Sequence, residues 1–319
     1  MDRDNNWELT EKAYALIAHG VGEKSNDFSK SLGLYYERGF PDTKIPALVA
    51  PDYTGVQEHD AVFFFNFRED SIRQLYKKFA EHKQIYLATM TKYTEEDTSF
   101  VFAPPDVTNN LAEVISANNL PQLHIAETLK YAHVTYFFNG LKNWPYGGEK
   151  DVLVQSEKNI ETTPAMGAEK IAETVIAGLQ THDVIIANFA NADMLAHTGN
   201  YEATRAGVEA IDTALGMVLR AITEVDGILL ITSDHGNAES LVDRFSSEPE
   251  SRHDGSPVPI YFVAKQYFGQ GGSTSNANTL EVSGILADVA PTVLALLGIS
   301  APSEMTGVSL LPKLPVRDR

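Results

Sequence analysis

Short apolar runs alternate with segments of helical spacing over most of the second half of the chain. From about Val152 onward, the runs expected to form buried strands are 151–156, 183–189, 227–233 and 259–264. The helical spacing is clearest in one set of apolar residues three or four positions apart, Val208, Ile211, Leu215, Val218 and Ile222. A closing helix is predicted over 284–298, with Gly298 at its C-terminal cap. This alternation predicts an α/β fold with a mostly parallel sheet and helices on its faces.

The earlier part of the chain has a different pattern. Apolar runs at 62–67 and 85–90 predict strands that flank a helix over 71–82, and HVTYFF at 133–138 predicts another strand. Two prolines and several turn formers occur in APPDVTNN, residues 103–110. We therefore predict two domains, residues 1–104 and 105–319. A Gly-, Ser- and Asn-rich stretch over 269–279 predicts a flexible loop.

Composition narrows the classes of function. The chain has 319 residues and no cysteine, so a metal ion would be held by oxygen and imidazole nitrogen. This donor set suits Mn²⁺, Mg²⁺, Fe or Zn²⁺. The formal net charge of -18 argues against a nucleic-acid partner. No apolar stretch reaches the roughly 20 residues of a membrane span, and the first residues resemble no leader peptide, so we expect a cytoplasmic protein with no membrane partner.

Carboxylates and imidazoles cluster beside the predicted strands. Asp193 and His197 are four residues apart in NFANADMLAHTGN, a spacing at which both can grip one metal ion. Asp234 and His235 follow the next apolar run in LLITSDHGNAE, and His253 precedes the last. Each of these could by itself be a solvated polar residue. Because ligands gather at the carboxyl ends of strands in such sheets, their joint placement favours a metal centre.

Two carboxylate and imidazole pairs are typical of a two-metal site for phosphoryl transfer. Such chemistry also needs a cation that orients the phosphate and a nucleophile that receives it. The sequence supplies cations, but it offers no convincing nucleophile. Two other imidazoles, His124 and His133, flank or begin the strand predicted at 133–138, and we interpret them as structural or supporting.

Several motifs together resemble one known family. NFANADMLAHTGN, LLITSDHGNAE, ETLKYAHVTYFFNG and LADVAPTVLALLGI followed by EMTGVSLL are similar to cofactor-independent (2,3-bisphosphoglycerate-independent) phosphoglycerate mutases. The resemblance implies an alkaline-phosphatase-like sheet with helices on both faces and a second α/β domain that binds substrate. It also implies interconversion of 3-phosphoglycerate and 2-phosphoglycerate in glycolysis, through a phosphoserine and two Mn²⁺ ions, by a monomer that acts on a small molecule.

The resemblance also assigns roles to residues. It implies that three residues, Asp193, His197 and His253, hold one ion. Asp234 and His235 would contribute to the other ion. Lys130 would be the catalytic cation near the transferring phosphate, where an ammonium acts as a point charge. Arg3 and Arg68 would grip the glycerate, since a guanidinium can hold a carboxylate with two hydrogen bonds.

Some positions depart from the family pattern. The family has an arginine where this chain has Ser71, a contact that Arg73 could supply, and a threonine where this chain has Asp254. The family also carries an Asp ligand and the nucleophilic Ser upstream of a segment like MDRDNNW. We therefore expect a partial substrate-binding domain, a phosphatase-like domain without its N-terminal segment, one fully liganded metal site, and no turnover by this chain alone.

Two alternatives remain open. Metal motifs of this kind serve several reactions on one fold, so a phosphatase or phosphodiesterase of the same superfamily is possible. The other alternative is a metal-binding fragment with no catalysis of its own.

Overall fold

The chain forms two compact units, Met1–Pro105 and Asp106–Arg319. The computed structural model describes residues 6–40, 42–69, 71–82, 84–94, 96–97, 99–103, 105–241, 253–265 and 282–313. The loop predicted over 269–279 lies outside these ranges. Among the helices of the described residues, none is both long and apolar enough to cross a membrane.

The first unit is built on a three-stranded parallel sheet. The strands are, in sheet order, β3 (Ala61–Phe64), β4 (Tyr86–Thr91) and β5 (Phe100–Phe102). A short parallel pair and three helices complete it: β1 (Glu23–Lys24), β2 (Leu48–Val49), α1 (Trp7–His19), α2 (Phe28–Glu37) and α3 (Arg73–Ala80). The aromatic rings of Tyr14, Phe64, Phe79 and Tyr93 meet in its core. The strands and helix predicted between residues 62 and 90 are therefore confirmed, with slightly shifted ends.

The second unit contains the longer helices. Its helices are α4 (Leu111–Ala117), α5 (Tyr131–Val134), α6 (Ala168–Gly178), α7 (Asn191–Ala196), α8 (Tyr201–Glu224) and α9 (Val289–Leu296). Its strands are β6 (Gln122–Glu127), β7 (Glu149–Val154), β8 (Val184–Ala187), β9 (Ile228–Thr232) and β10 (Ile260–Ala264). The predicted α/β class is confirmed.

A parallel sheet of order β7-β6-β8 organises this unit. All six residues of β6 are buried, as expected of a central strand covered on both faces. On one face, Ile125 and Val154 pack with Ile171 of α6 and Val218 of α8. On the other, Val184 packs with α4 and α9. Because successive strand residues point to opposite faces, β8 contributes Val184 to one apolar layer and its neighbour to the other.

Helix α8 packs unusually close to α7. A Cβ atom added at Gly207 would lie 2.3 Å from Cδ1 of Leu195, which is fully buried. The predicted helical spacing from Val208 to Ile222 falls within α8, whose first turn is capped where the Asn200 side chain accepts a hydrogen bond from the Ala203 amide at 3.1 Å. Gly207 thus fixes the position of α7 against the longest helix of the described chain.

The prediction of a strand at HVTYFF, residues 133–138, is wrong. Residues 131–134 form α5 and the chain then turns, with the Phe137 amide donating to the Ala132 carbonyl at 2.9 Å. A short apolar run with β-branched residues cannot be told from a buried helical segment by its period alone. The central strand is instead β6, immediately upstream, which the sequence analysis did not identify.

The parallel arrangement does not extend to the last two strands. β9 and β10 pair antiparallel, and beyond them an isolated antiparallel bridge joins Gly236 to Asp254 in a shifted register. The chain therefore returns beside β9 in the opposite direction. The closing helix also begins later than predicted, at Val289, because the Asp288 carboxylate accepts from the Ile285 amide and holds the preceding turn. Gly298 follows this helix with φ of 73°.

We expect a methyl group at position 207 to destabilise the second unit. Gly207→Ala should lower the free energy of unfolding by about 1–3 kcal/mol, because the added Cβ overlaps the buried Leu195 side chain. Gly216→Ala in the same helix is the matched control, since its Cβ would meet only a guanidinium nitrogen of Arg220 at 3.9 Å. That variant should gain up to about 1 kcal/mol from helix propensity. Urea denaturation of both variants measures the contrast, and equal effects would contradict the packing argument.

Candidate metal centre

The candidate ligands lie where strands of the second unit end or begin. Lys130 closes a short 3₁₀ turn directly after β6, and Asp193 lies on α7, which follows β8. His235 follows β9 and His253 precedes β10. Since β9 and β10 are antiparallel neighbours, the end of one and the beginning of the other lie together. Four separate chain segments thus meet in one place.

Helix α7 is held firmly at its start. The Asn191 side-chain amide donates to the carbonyl oxygens of Pro164 and Ala165 at 2.8 and 2.9 Å, and Asn191 is fully buried. One turn later, the His197 amide donates to the Asp193 carbonyl at 3.1 Å. The spacing of four residues therefore places the Asp193 and His197 side chains on one face of a helical turn.

Three donor atoms converge at the centre. Oδ1 of Asp193 lies 3.1 Å from Nε2 of His253 and 3.3 Å from Nε2 of His197, and the two imidazole nitrogens are 3.0 Å apart. Ligands about 2.0–2.1 Å from a tetrahedral metal ion are separated by roughly 3.3 Å. The three atoms have about this spacing, so they fit the ligand set of one divalent ion.

His235 joins the same cluster. Its ring stacks on His253 with centroids 3.6 Å apart, and it offers a donor atom within 4.8 Å of those of Asp193 and His253. Its Nδ1 atom is buried and has no hydrogen-bond partner among the described residues. Asp234 differs, because its side chain is 71% exposed and lies 3.5 Å from His235. The structure thus brings His235 close to the three candidate ligands, while Asp234 lies at the outside.

The bridge between Gly236 and Asp254 aligns the two stacked rings. The Asp254 amide donates to the Gly236 carbonyl at 2.9 Å, directly beside His253 and His235. A Cβ atom at Gly236 would lie 2.2 Å from Oδ1 of Asp254 and 2.3 Å from Oε1 of Glu239. A side chain at position 236 would therefore displace both carboxylates from the places they take beside the bridge.

Opposing effects act on the Asp193 carboxylate. Burial alone would raise its pKa, but hydrogen bonds from Lys130 at 2.5 Å and Asn237 at 2.9 Å outweigh burial and lower the pKa of Asp193 to about 2. The Asp193 side chain is therefore ionised at neutral pH, as a metal ligand must be. Lys130 itself is 13% exposed, so its ammonium group is largely enclosed beside the cluster.

A cleft of about 130 Å³ opens beside these residues. Its lining is mostly polar and includes Lys130, Asp193, His235, Asn188, Asn237 and Ser233. The last three were not singled out from the sequence. Asn237 lies two residues after His235 in the motif LLITSDHGNAE. Its position beside the end of a strand could therefore have identified it as a site residue. The Ser233 hydroxyl donates to the His235 carbonyl at 2.9 Å and thereby shapes the turn.

The remaining predicted site residues lie elsewhere or outside the described ranges. Arg3 is not among the described residues. Arg68 is an exposed residue of the first unit, a few positions after β3. Arg73 donates through Nε to the Tyr93 carbonyl at 3.0 Å, which ties its side chain to the core of the first unit. The roles proposed for Arg3, Arg68 and Arg73 in holding glycerate remain predictions.

A second group of ionisable side chains lies in the middle of the sheet. His124 is fully buried, and its Nδ1 is 3.3 Å from Oε1 of Glu149 and 3.9 Å from Oδ1 of Asp151. Burial lowers the pKa of the His124 imidazole despite the nearby Glu149 carboxylate. Burial, and then repulsion from Glu149, raises the pKa of Asp151 to about 7. His133 lies in α5 beside Phe137.

The chain is similar to known metalloenzymes over most of its length. Residues 20–301 match the sequence profile of the metalloenzyme superfamily. The chain is 39% identical to a 2,3-bisphosphoglycerate-independent phosphoglycerate mutase of Legionella pneumophila and 38% identical to one of Clostridium perfringens, with 98% of this chain covered in each case. It spans 62% and 63% of those relatives' lengths.

A solved structure agrees with the sequence relatives. The crystal structure of Leishmania mexicana phosphoglycerate mutase at low cobalt concentration superposes with a TM-score of 0.76 and 25% identity, over 97% of this chain and 62% of that one. The predicted alkaline-phosphatase-like fold class and the resemblance to these mutases are confirmed. Since the superfamily profile covers most of the sequence, and the ligand cluster lies within it, the chain belongs to the metalloenzyme superfamily.

Proposed function

We propose that this chain is the metal-binding and phosphate-binding part of an enzyme that interconverts 3-phosphoglycerate and 2-phosphoglycerate. One observation supports this most directly. Asp193, His197 and His253 present three donor atoms 3.0–3.3 Å apart, and a largely enclosed ammonium lies on the other oxygen of Asp193. A divalent cation beside a fixed positive side chain is what a transferring phosphoryl group requires.

The donor chemistry supports a divalent transition ion. One carboxylate and two or three imidazoles suit Mn²⁺, Co²⁺ or Zn²⁺ better than Mg²⁺, which prefers oxygen ligands. When bound, such an ion supplies positive charge that stabilises negative oxygen atoms during phosphoryl transfer. We propose Mn²⁺ as the native ion, with Asp193, His197 and His253 as its ligands. Asp234 and His235 would contribute to a second ion, with Asp234 approaching from its exposed position.

Lys130 would orient the phosphate. Its ammonium group is held at 2.5 Å by Asp193 and lines the cleft with Asn188 and Asn237. A rigidly placed point charge beside the metal ligands can bind a phosphate oxygen without rearranging during the reaction. The carboxylate end of the substrate would be held by Arg68 and Arg3.

Metal binding tests the ligand assignment. We expect the dialysed protein to take up Mn²⁺, and Asp193→Asn to weaken this binding at least 100-fold, because the variant loses the anionic ligand that lies against both imidazoles. Asp212→Asn, which changes an exposed carboxylate of α8, is the control and should bind as the parent does. Titration followed by electron paramagnetic resonance measures free Mn²⁺. Unchanged affinity in Asp193→Asn would exclude these ligands.

Binding of 3-phosphoglycerate and analysis of the products formed from it test the proposed activity. With Mn²⁺ present, we expect 3-phosphoglycerate to bind, and Lys130→Met to weaken binding about 10- to 100-fold through loss of one charge-assisted contact. Lys158→Met alters an exposed lysine and should have no effect. ³¹P nuclear magnetic resonance then reports the chemistry. If 3-phosphoglycerate binds but no isomer forms, the result agrees with the incomplete catalytic set predicted above. Formation of 2-phosphoglycerate would show that the chain is fully competent. Release of inorganic phosphate would favour the hydrolase instead.

The acid stability of the metal-free protein should depend on Lys130. Because the folded pKa of Asp193 is lowered from 3.8 to about 2, its contribution is complete above pH 4 and is lost as the pH falls towards 2. The contribution is about 2 kcal/mol. In the presence of a chelator, Lys130→Met should flatten this part of the profile of unfolding free energy against pH. An unchanged profile, or the same flattening in Lys158→Met, would contradict the pairing.

A further inference from the structure

The second ionisable cluster of this unit lies apart from the cleft residues. His124 is in the middle of β6, and Glu149 and Asp151 are on the neighbouring strand β7. The parallel register pairs His124 with Asp151 and Gln122 with Glu149, so all four side chains share one face of the sheet. The Glu149 side chain is fully buried, as is that of His124. Phe138 covers the imidazole edge-on at 5.1 Å.

The hydrogen bonds around Gln122 determine which imidazole nitrogen carries a proton. The Gln122 side-chain NH₂ donates to the Ala112 carbonyl at 2.9 Å, which leaves its oxygen as an acceptor. That oxygen lies 3.1 Å from Nε2 of His124, so Nε2 must donate. In the neutral ring, Nδ1 is then a bare lone pair, and it is a buried atom without a hydrogen-bond partner.

The two carboxylates present acceptor atoms to this lone pair. Oε1 of Glu149, at 3.3 Å, accepts from Asn139 at 2.7 Å, and Oε2 accepts from the Tyr146 amide at 2.8 Å. Glu149 is therefore fixed in place by two donors. Oδ1 of Asp151, at 3.9 Å, is likewise buried without a hydrogen-bond partner. Three acceptor atoms therefore face one another. In the absence of an ion, a protonated Asp151 can donate to Glu149, and a bound cation would take the place of that proton.

We propose that His124, Glu149 and Asp151 form a second divalent-cation site, which binds Zn²⁺ or a similar transition ion through Nδ1 and two carboxylate oxygens. The three donor atoms lie within 4.8 Å of one another. Ligands of a tetrahedral ion are separated by roughly 3.3 Å. Oε1 of Glu149 is already 3.3 Å from Nδ1 of His124, and Oδ1 of Asp151, at 3.9 Å, would have to move inwards. Two carboxylates and a neutral imidazole balance the charge of one divalent ion.

The surroundings match those of a metal-binding histidine. Such a ring usually donates its other nitrogen to an oxygen that is itself held in place, which is the relation of His124 to Gln122. The Asp151 side chain is 19% exposed, and it provides the route by which an ion and one water ligand enter. The bound ion would link the central strand β6 to β7, the outer strand of the described sheet, and so serve stability rather than catalysis.

Zinc binding tests this site separately from the cleft. In the Asp193→Asn background, which weakens the other centre, the full chain should retain one equivalent of Zn²⁺ after gel filtration, measured by plasma mass spectrometry. Adding Asp151→Asn should lower the affinity of that equivalent at least tenfold. Adding Asp183→Asn, the same change at an exposed residue, should leave it unaltered. Zn²⁺ should also raise the melting temperature of the Asp183 variant and not that of the Asp151 variant.

Two outcomes would overturn the proposal. One is equal retention of Zn²⁺ with and without Asp151→Asn in variants that circular dichroism shows to be folded. The other is a Zn²⁺-soaked crystal whose anomalous difference map has no peak about 2.0–2.2 Å from Nδ1 of His124 and from a Glu149 oxygen. Glu149→Gln provides a second test if the Asp151 variant does not fold. Neither result depends on whether the cleft binds phosphoglycerate.

Discussion

The second unit is organised around one half-enclosed negative charge, the carboxylate of Asp193. Such a group is costly to remove from water unless positive or donor groups surround it. Here Lys130 and Asn237 donate to its two oxygens, and His197 and His253 lie against one of them. His197 lies one helical turn from Asp193, whereas Lys130, Asn237 and His253 come from segments far from it in sequence. Each must be delivered to within about 3 Å, so the fold has to hold several strand ends in fixed relative positions.

The buried strand β6 provides much of that rigidity. It lies between β7 and β8, and helices cover both of its faces. Its end leads into Lys130, while its middle carries His124. One strand therefore serves two groups of polar residues, at different depths in the sheet. In the first, an ammonium and an amide donate to the carboxylate. In the second, amides hold Glu149, while Nδ1 of His124 and Oδ1 of Asp151 have no hydrogen-bond partner among the described residues.

The sequence predicted the outline of this arrangement for clear physical reasons. Alternating apolar runs and helical spacing predicted most strands and the helix α8, and the motifs around Asp193, His235 and His253 predicted that these side chains would meet. β6 escaped detection because its QLHIAE sequence mixes polar and apolar residues, although burial is complete. HVTYFF had a strand-like composition, but its first two residues belong to α5, and the chain turns directly after that helix. Such outcomes depend on tertiary packing, which a local pattern does not encode.

Other features depended on pairings between distant segments. β10 pairs antiparallel with β9, and the bridge between residues 236 and 254 joins the two segments whose imidazoles, His235 and His253, are stacked. No periodicity within either segment reports that bridge. The hydrogen bond from Asn237 to Asp193 likewise joins residues 44 positions apart. The donor types could be predicted from the sequence, but their grouping around one carboxylate required the fold.

Gly236 has a consequence for how this centre can change over time. A side chain there would displace the carboxylate groups of Asp254 and Glu239, which accept hydrogen bonds from the Ser256 and Asn237 amides. Those hydrogen bonds hold the backbone next to His235 and His253, so their loss would loosen the placement of both imidazoles. Mutations can therefore alter the ion preference of the proposed centre more readily by exchanging its candidate ligands than by remodelling this turn. A directed-evolution library aimed at new metals should therefore keep glycine at position 236 and vary the residues that line the cleft.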